Sequence, residues 1–221
     1  MEFHIKITDR LRNFSEHVEV KQTQDGMVIG EYKMALNDII RALSNSSTEG
    51  IGHQTPFLPR NCIKLLTNTY GYDVFIELEK RQWQIEHTEE GKLMLGFPKL
   101  VLKYSVVKDT IQNLKMFAVK DKGLITGDTE MYYFPYSNVH HDSGNVCMGM
   151  NVFPEIKHLN QLEKMHLLFF SAPFGNDYGS MAIGHNLNSL LKTFRDKSFD
   201  DEVLMPMNQT FNEVFLLQNN G

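Results

Sequence analysis

The sequence predicts an α+β fold, and three observations predict it. Short apolar, β-rich runs separated by tight turn signals fill the middle of the chain. Amphipathic helical patterns gather after them, beyond residue 158. Neither G-x-G-x-x-G nor G-x-x-x-x-G-K-[ST] occurs, so no phosphate loop opens a βα unit and nothing suggests a nucleotide site. Strands first and helices last favour α+β over a doubly wound sheet.

Taken in order, residues 3 to 7 alternate apolar and polar in the manner of a strand. Val18 to Val20 alternates again, Asp25-Gly26 is a turn signal, and Met27-Val28-Ile29 completes a hairpin. Leu36, Ile39, Ile40 and Leu43 stand at helical spacing, which predicts a short helix from Asn37 to Leu43 with Asn37 as its cap. Ser44 to Gly52 reads as a loop that separates an N-terminal piece from the rest. Pro59 to Leu66 is expected as another short helix. The strand-like runs are Asp73 to Leu78, Trp83 to Ile85, Lys99 to Val107, Leu114 to Val119 and Met131 to Phe134. Turn signals at Glu90-Gly91, Lys108-Asp109, Lys122-Gly123 and Gly127-Asp128 divide them, which implies an antiparallel meander. Leu159, Leu162, Met165, His166 and Phe169 share one helical face, as do Leu187, Leu190, Leu191 and Phe194. A third helix is expected from Phe211 to Leu217.

Composition narrows the function classes. The chain has 221 residues, 42% of them hydrophobic, enough for a sizeable core. The net charge of −5 and the scattered bases lack the footprint of a nucleic-acid or anionic-membrane binder. The most apolar run, Leu167 to Phe170, is far too short to span a bilayer. Two cysteines, Cys62 and Cys147, read as free thiols, and the N-terminus lacks a signal-peptide core. A cytoplasmic protein is therefore expected.

The chemistry concentrates in one stretch. An aromatic strand end, Tyr132 to Tyr136, runs into Ser137-Asn138-Val139-His140-His141-Asp142-Ser143-Gly144-Asn145-Val146 and then Cys147. Polar, bendable residues around a single thiol suit a nucleophile that must stay reachable; a packing cysteine more often sits in an apolar element. A thiol that accepts and passes on an acyl group goes through tetrahedral oxyanions. The side-chain amide of Asn138 or Asn145 can donate to such an oxyanion, while His140, His141 and Asp142 can tune the thiol or shuttle protons. Cys62, among Ile63, Leu65 and Leu66, is expected in the core. Adjacent histidines rarely chelate one ion and no second pair has ligand spacing, so no metal site is expected.

These residues carry a resemblance. Pro135, Asn138-Val139, Asp142 and Gly144-Asn145-Val146-Cys147 resemble the active-site loop of ubiquitin-conjugating (UBC) enzymes, whose pattern is His-Pro-Asn, a few turn residues, then Gly-x-(Ile/Val)-Cys. From about residue 57 to 178 the chain is similar to PRTRC system protein B. That bacterial family of UBC-like proteins is encoded in plasmid and mobile-element cassettes beside a ThiF-like activating enzyme. The matching residues are Leu58-Pro59, Arg81, Phe134-Pro135 with Asn138-Val139, Val146-Cys147-Met148-Gly149, and Phe169-Phe170-Ser171-Ala172-Pro173-Phe174. The chain departs from the UBC pattern in three ways: the histidine of His-Pro-Asn is missing, Asn138 precedes Cys147 by one residue more than usual, and no Trp follows the cysteine.

The resemblance implies a UBC-like fold, an antiparallel meander with an active-site loop and C-terminal helices. Residues 1–50 would form an N-terminal β-rich extension and 51–221 the UBC-like domain. It implies a thioester carrier in a ubiquitin-like conjugation or sulfur/acyl-transfer pathway. Cys147 would be the nucleophile, Asn138 the oxyanion or loop-positioning residue, and His140, His141 and Asp142 its modifiers. A ThiF-like activating enzyme and a ubiquitin-like modifier would be the partners, and transthiolation needs no cofactor. Because fold does not imply activity, the alternative is a catalytically inactive UBC-like binding or scaffold module.

Overall fold

The computed structural model describes residues 2–8, 11–13, 15–46, 55–68 and 71–216. The chain divides into two compact units, Met1–Thr55 and Pro56–Gly221.

In the first unit, β1 (Glu2–Lys6), β2 (His17–Gln24) and β3 (Met27–Ala35) form an antiparallel sheet in that order, and α1 (Leu36–Ser46) follows. The expected hairpin turns at Asp25 and Gly26, whose φ angles of 52° and 79° are both positive. A two-residue turn needs that to match the twist of its strands, and Asp-Gly accepts it at little cost. Val18, Val20, Leu36 and Ile39 make this unit's core. The helix starts at Leu36, whose N–H is taken by the Glu16 carbonyl at 3.0 Å, so Asn37 lies inside the first turn and not at the cap. It also runs on through Ser46, so residues 44–46 belong to the helix and not to the expected loop. Residues 47–52 lie outside the described ones.

The second unit contains β4 (Cys62–Asn68), β5 (Gly71–Leu78), β6 (Arg81–His87), β7 (Gly91–Phe97), β8 (Lys99–Val107), β9 (Thr110–Val119) and β10 (Glu130–Tyr132). After the cysteine loop come a 3₁₀ turn at Leu159–Lys164, α2 (His166–Phe170), β11 (Pro173–Phe174), α3 (Leu187–Phe194), β12 (Pro206–Thr210) and α4 (Phe211–Phe215). A six-stranded sheet has the order β12-β10-β9-β8-β5-β4, and a three-stranded one the order β11-β6-β7. The fold is α+β, with antiparallel strands first and most helices after them. The hairpin β6–β7 leaves the meander, so β5 pairs with β8 instead of β6.

Three local expectations change. Residues 59–66 do not form a helix; Cys62–Asn68 pairs antiparallel with β5. A short apolar run fits either conformation, and the open edge of β5 decides it. The strand β7 was not expected at all, yet Leu93 and Leu95 point alternately into the core. The helix expected across Leu159, Leu162 and Phe169 is broken at Met165 into a 3₁₀ and an α turn, with those three side chains buried. Leu187–Phe194 is helical as expected, and Asn186 caps it by accepting from Ser189 N at 2.9 Å. The last helix ends at Phe215, and Leu217 lies outside the described residues.

The large sheet is buried on both faces over part of its area. Leu100, Leu102, Tyr104 and Val106 of β8 enter the main core beneath α2 and α3. Val101 points the other way, into a second cluster with Phe75, Phe117 and Met131 that is covered by Phe211, Val214 and Phe215 of α4. This period-two division explains why these strands read as almost continuously apolar. Further along, the α4-side face turns polar: Lys103 pairs with Asp73 at 3.0 Å, and Ser105 donates to Asp73 at 2.6 Å. Among the described residues, no helix is long and apolar enough to cross a membrane.

Candidate functional site

The cysteine loop is a small hairpin added to the edge of β9. Val139 and Val146 pair across it, His140 N donates to Asn145 O at 2.9 Å, and Gly144 N donates to His140 O at 2.8 Å. Its second arm continues the sheet. Met116 N donates to Gly144 O and Val146 N donates to Leu114 O, both at 2.9 Å. Lys115 and Asn145 therefore face each other as a non-hydrogen-bonded antiparallel pair. Gly144 enables this close approach. Its φ is +68°, and a Cβ there would stand 2.2 Å from the Phe117 ring.

Cys147 lies at the base of the hairpin, half-buried, and its N–H donates to Asn138 O at 2.8 Å. Val146 and Met148 both pack on the main core. Strand alternation then directs Cys147 to the opposite face, shared with Asn145 and Lys115. Cys62 is a poorer candidate for a nucleophile: its Sγ donates to Lys64 O at 3.4 Å, and burial pushes its pKa up.

Asn138 is buried and sits at φ +69°, in the left-handed region that asparagine tolerates better than most residues. Its Nδ2 donates to the Pro173 carbonyl at 2.9 Å, and its Oδ1 accepts from Gly175 N across a long 3.5 Å. One side chain thus fastens the base of the hairpin to β11, a remote segment that itself runs parallel to β6. The amide that the sequence offers as an oxyanion donor is engaged with the backbone. Asn145 differs: its Oδ1 accepts from Asn113 Nδ2 at 3.2 Å, while its own Nδ2 has no partner among the described residues.

His140, His141 and Asp142 occupy the hairpin tip. His141 and Asp142 stand in the turn beyond the His140–Asn145 hydrogen bond, whereas Cys147 stands at the other end of the hairpin, beside Asn138. The exposed His140 ring packs on Tyr178 with centroids 4.2 Å apart. Burial lowers the His141 pKa, as does the neighbouring His140, against the raising effect of Asp142. These effects favour the neutral form of His141, and its Nε2 is buried without a hydrogen-bond partner among the described residues. Among the described residues, no three His, Cys, Asp or Glu side chains converge as a metal site would require.

Sequence reasoning missed Lys115 and Asn113, which flank Asn145 from β9. The available signal was a lone cation inside Leu114-Lys115-Met116-Phe117.

A search of the curated proteins and of the solved structures finds no match. A family model, described as prokaryotic E2 family D, matches residues 35–207. The matched span runs from the last residue of β3 into β12 and contains the sheet, the cysteine hairpin and the β11 segment that holds it. With its UBC-like α+β fold and a thiol set on a sheet-anchored loop, the chain belongs to prokaryotic E2 family D, within the ubiquitin-conjugation-related proteins.

Proposed function

We propose that this protein is a thioester carrier. Cys147 accepts the acyl end of a ubiquitin-like modifier from a ThiF-like activating enzyme and passes it on. The observation that carries this reading is the setting of Cys147: a half-buried thiol at the base of a hairpin, held by Asn138 and by the β9 pairing. A carrier thiol must present a bulky acyl group in one orientation to two successive partners, and a rigid anchor supplies that orientation.

The chemistry needs few groups. The Cys147 thiolate attacks the incoming thioester carbonyl, the carbon–sulfur bond to the donor thiol breaks, and that thiol leaves. The oxyanion formed between these events needs a donor. Asn145 fits this role, because its Nδ2 has no partner among the described residues and its carbonyl is fixed by Asn113. Asn138 serves instead as the positioning residue, and His140, His141 and Asp142 shape the tip that partners meet.

The test combines purified protein, the cognate ThiF-like enzyme, ATP and the candidate modifier, run on non-reducing and thiol-treated gels. The expected result is a shifted band that disappears with thiol and in Cys147→Ala. No shift, with an activating enzyme independently shown to be charged, would favour the inactive binding module.

A further inference from the structure

We propose that an open groove in the second unit binds an extended peptide segment carrying one acidic residue, and that Arg81 donates to its carboxylate. The proposal does not rest on the carrier reading, and the groove is a separate site.

The groove has a volume of about 960 Å³. Three stretches line it: Arg60 and Asn61 ahead of β4, residues 77–83 across the link from β5 to β6, and Glu163 with His166 where the 3₁₀ turn meets α2. No residue of the cysteine hairpin lines it. Its aromatic wall is Trp83, half-buried and stacked on Phe170 with centroids 4.4 Å apart and planes at 9°. The His166 ring meets the indole edge-on at 5.3 Å. The Arg81 guanidinium lies over the same indole, 4.3 Å from the ring centroid. An arginine held on an aromatic ring keeps its N–H donors, and a carboxylate matches their fork with two parallel bonds. Tryptophan and arginine are also the side chains that most often anchor a protein–protein contact.

The other charges of the groove are largely spent, and Arg81 is not. Arg60 is paired with Glu163 at 2.7 Å, Lys80 with Asp201 at 3.0 Å and Glu77 with Lys99 at 3.0 Å. Arg81 is exposed and makes no ion pair among the described residues. Its cation is felt by its neighbour: burial first, and then Arg81, lower the His166 pKa to about 4. Arg81 is also one of the residues that carry the family resemblance, and the chemistry at Cys147 gives it no task.

The acids on the same wall decide which anion fits. Glu77, Glu79 and Glu163 repel a run of phosphates, as does the net charge of −5. A single carboxylate among neutral or basic residues meets Arg81 without that penalty. It also leaves Glu79, which makes no ion pair among the described residues, for a neighbouring cation of the same segment. The groove is far larger than one carboxylate, so flanking residues have room. Two of its lining residues carry polar atoms that the chain leaves unmatched: Trp83 Nε1 and Asn61 Oδ1 are buried with no hydrogen-bond partner among the described residues. Such atoms call for a polar partner, and peptide backbone supplies both donors and acceptors.

The experiment uses the full chain, immobilised, and two acetylated and amidated pentapeptide libraries, one with Glu fixed at the centre and one with Gln there. Retained peptides are identified by mass spectrometry and then titrated against the fluorescence of Trp83, the only tryptophan in the chain. Expected is a saturable change in Trp83 emission, with Glu peptides binding about tenfold more tightly than their Gln counterparts. Arg81→Gln should remove that preference with the unfolding midpoint nearly unchanged. Glu79→Gln, which removes an unpaired acid from the same wall, should tighten Glu peptides about twofold. Cys147→Ala should leave binding as it is. Equal retention of the two libraries, no retention of either, or a Glu preference that survives Arg81→Gln would each overturn the proposal. Acetate or glutarate binding as tightly as the retained peptides would overturn it too, in favour of a site for small free carboxylates.

Discussion

Replacing Asn138 separates a residue that positions the loop from one that stabilises an oxyanion. Asn138→Ala removes the 2.9 Å bond to Pro173 O and the long contact from Gly175 N. Losing one such bond, with a half-buried acceptor left unpaired, costs about 1–2 kcal/mol. Alanine must also hold the left-handed φ of +69°, for about 1 kcal/mol more. The expected total is about 2–3 kcal/mol. Asn138→Gly relieves the backbone strain but not the lost bond, and should be less damaging than alanine by about 0.5–1 kcal/mol. Asn138→Asp keeps the shape but sets a carboxylate oxygen against the Pro173 carbonyl, so it should be at least as damaging as alanine. Urea unfolding followed by tryptophan fluorescence measures this cleanly, because the only tryptophan, Trp83, reports the second unit from its stack on Phe170. Unchanged stability in all three variants, together with a collapse in the acyl-transfer rate, would refute the positioning role and restore Asn138 as the oxyanion donor.

Three further outcomes are expected. Asn145→Ala should slow transthiolation about 10²-fold, as removal of an oxyanion donor does, with the unfolding midpoint nearly unchanged; exchange kinetics with a small thioester would read this. Gly144→Ala should destabilise the second unit by about 3 kcal/mol, through left-handed strain and the clash with Phe117, and a Gly144→Ala/Phe117→Leu double-mutant cycle should show favourable coupling. His166 is buried against Trp83 with its pKa lowered to about 4, first by burial and then by the Arg81 cation. In the unfolded chain it titrates near 6.5, so the unfolded state binds more protons between these values, and stability should fall as pH drops from about 6.5 to about 4. His166→Gln should flatten the part of the pH–stability curve that lies in that window.

Features governed by neighbours in the chain were legible from the sequence alone. Asp25-Gly26 predicts its own turn because the positive φ angles are set within two residues. Leu187, Leu190, Leu191 and Phe194 predict their helix because one face is buried at helical spacing. The cysteine loop was visible because its turn residues surround the thiol. Tertiary structure decided what depends on contacts between distant segments. Cys62–Asn68 is a strand only because β5 offers an edge. The Asn138 amide is tied up by Pro173 and Gly175, 35 and 37 residues away, so its local setting could not show whether it was free. Lys115 meets the cysteine hairpin only through the pairing of β9 with Asn145. Local backbone preference is written in adjacent residues, whereas hydrogen-bond partners and electrostatic neighbours are settled when the chain packs.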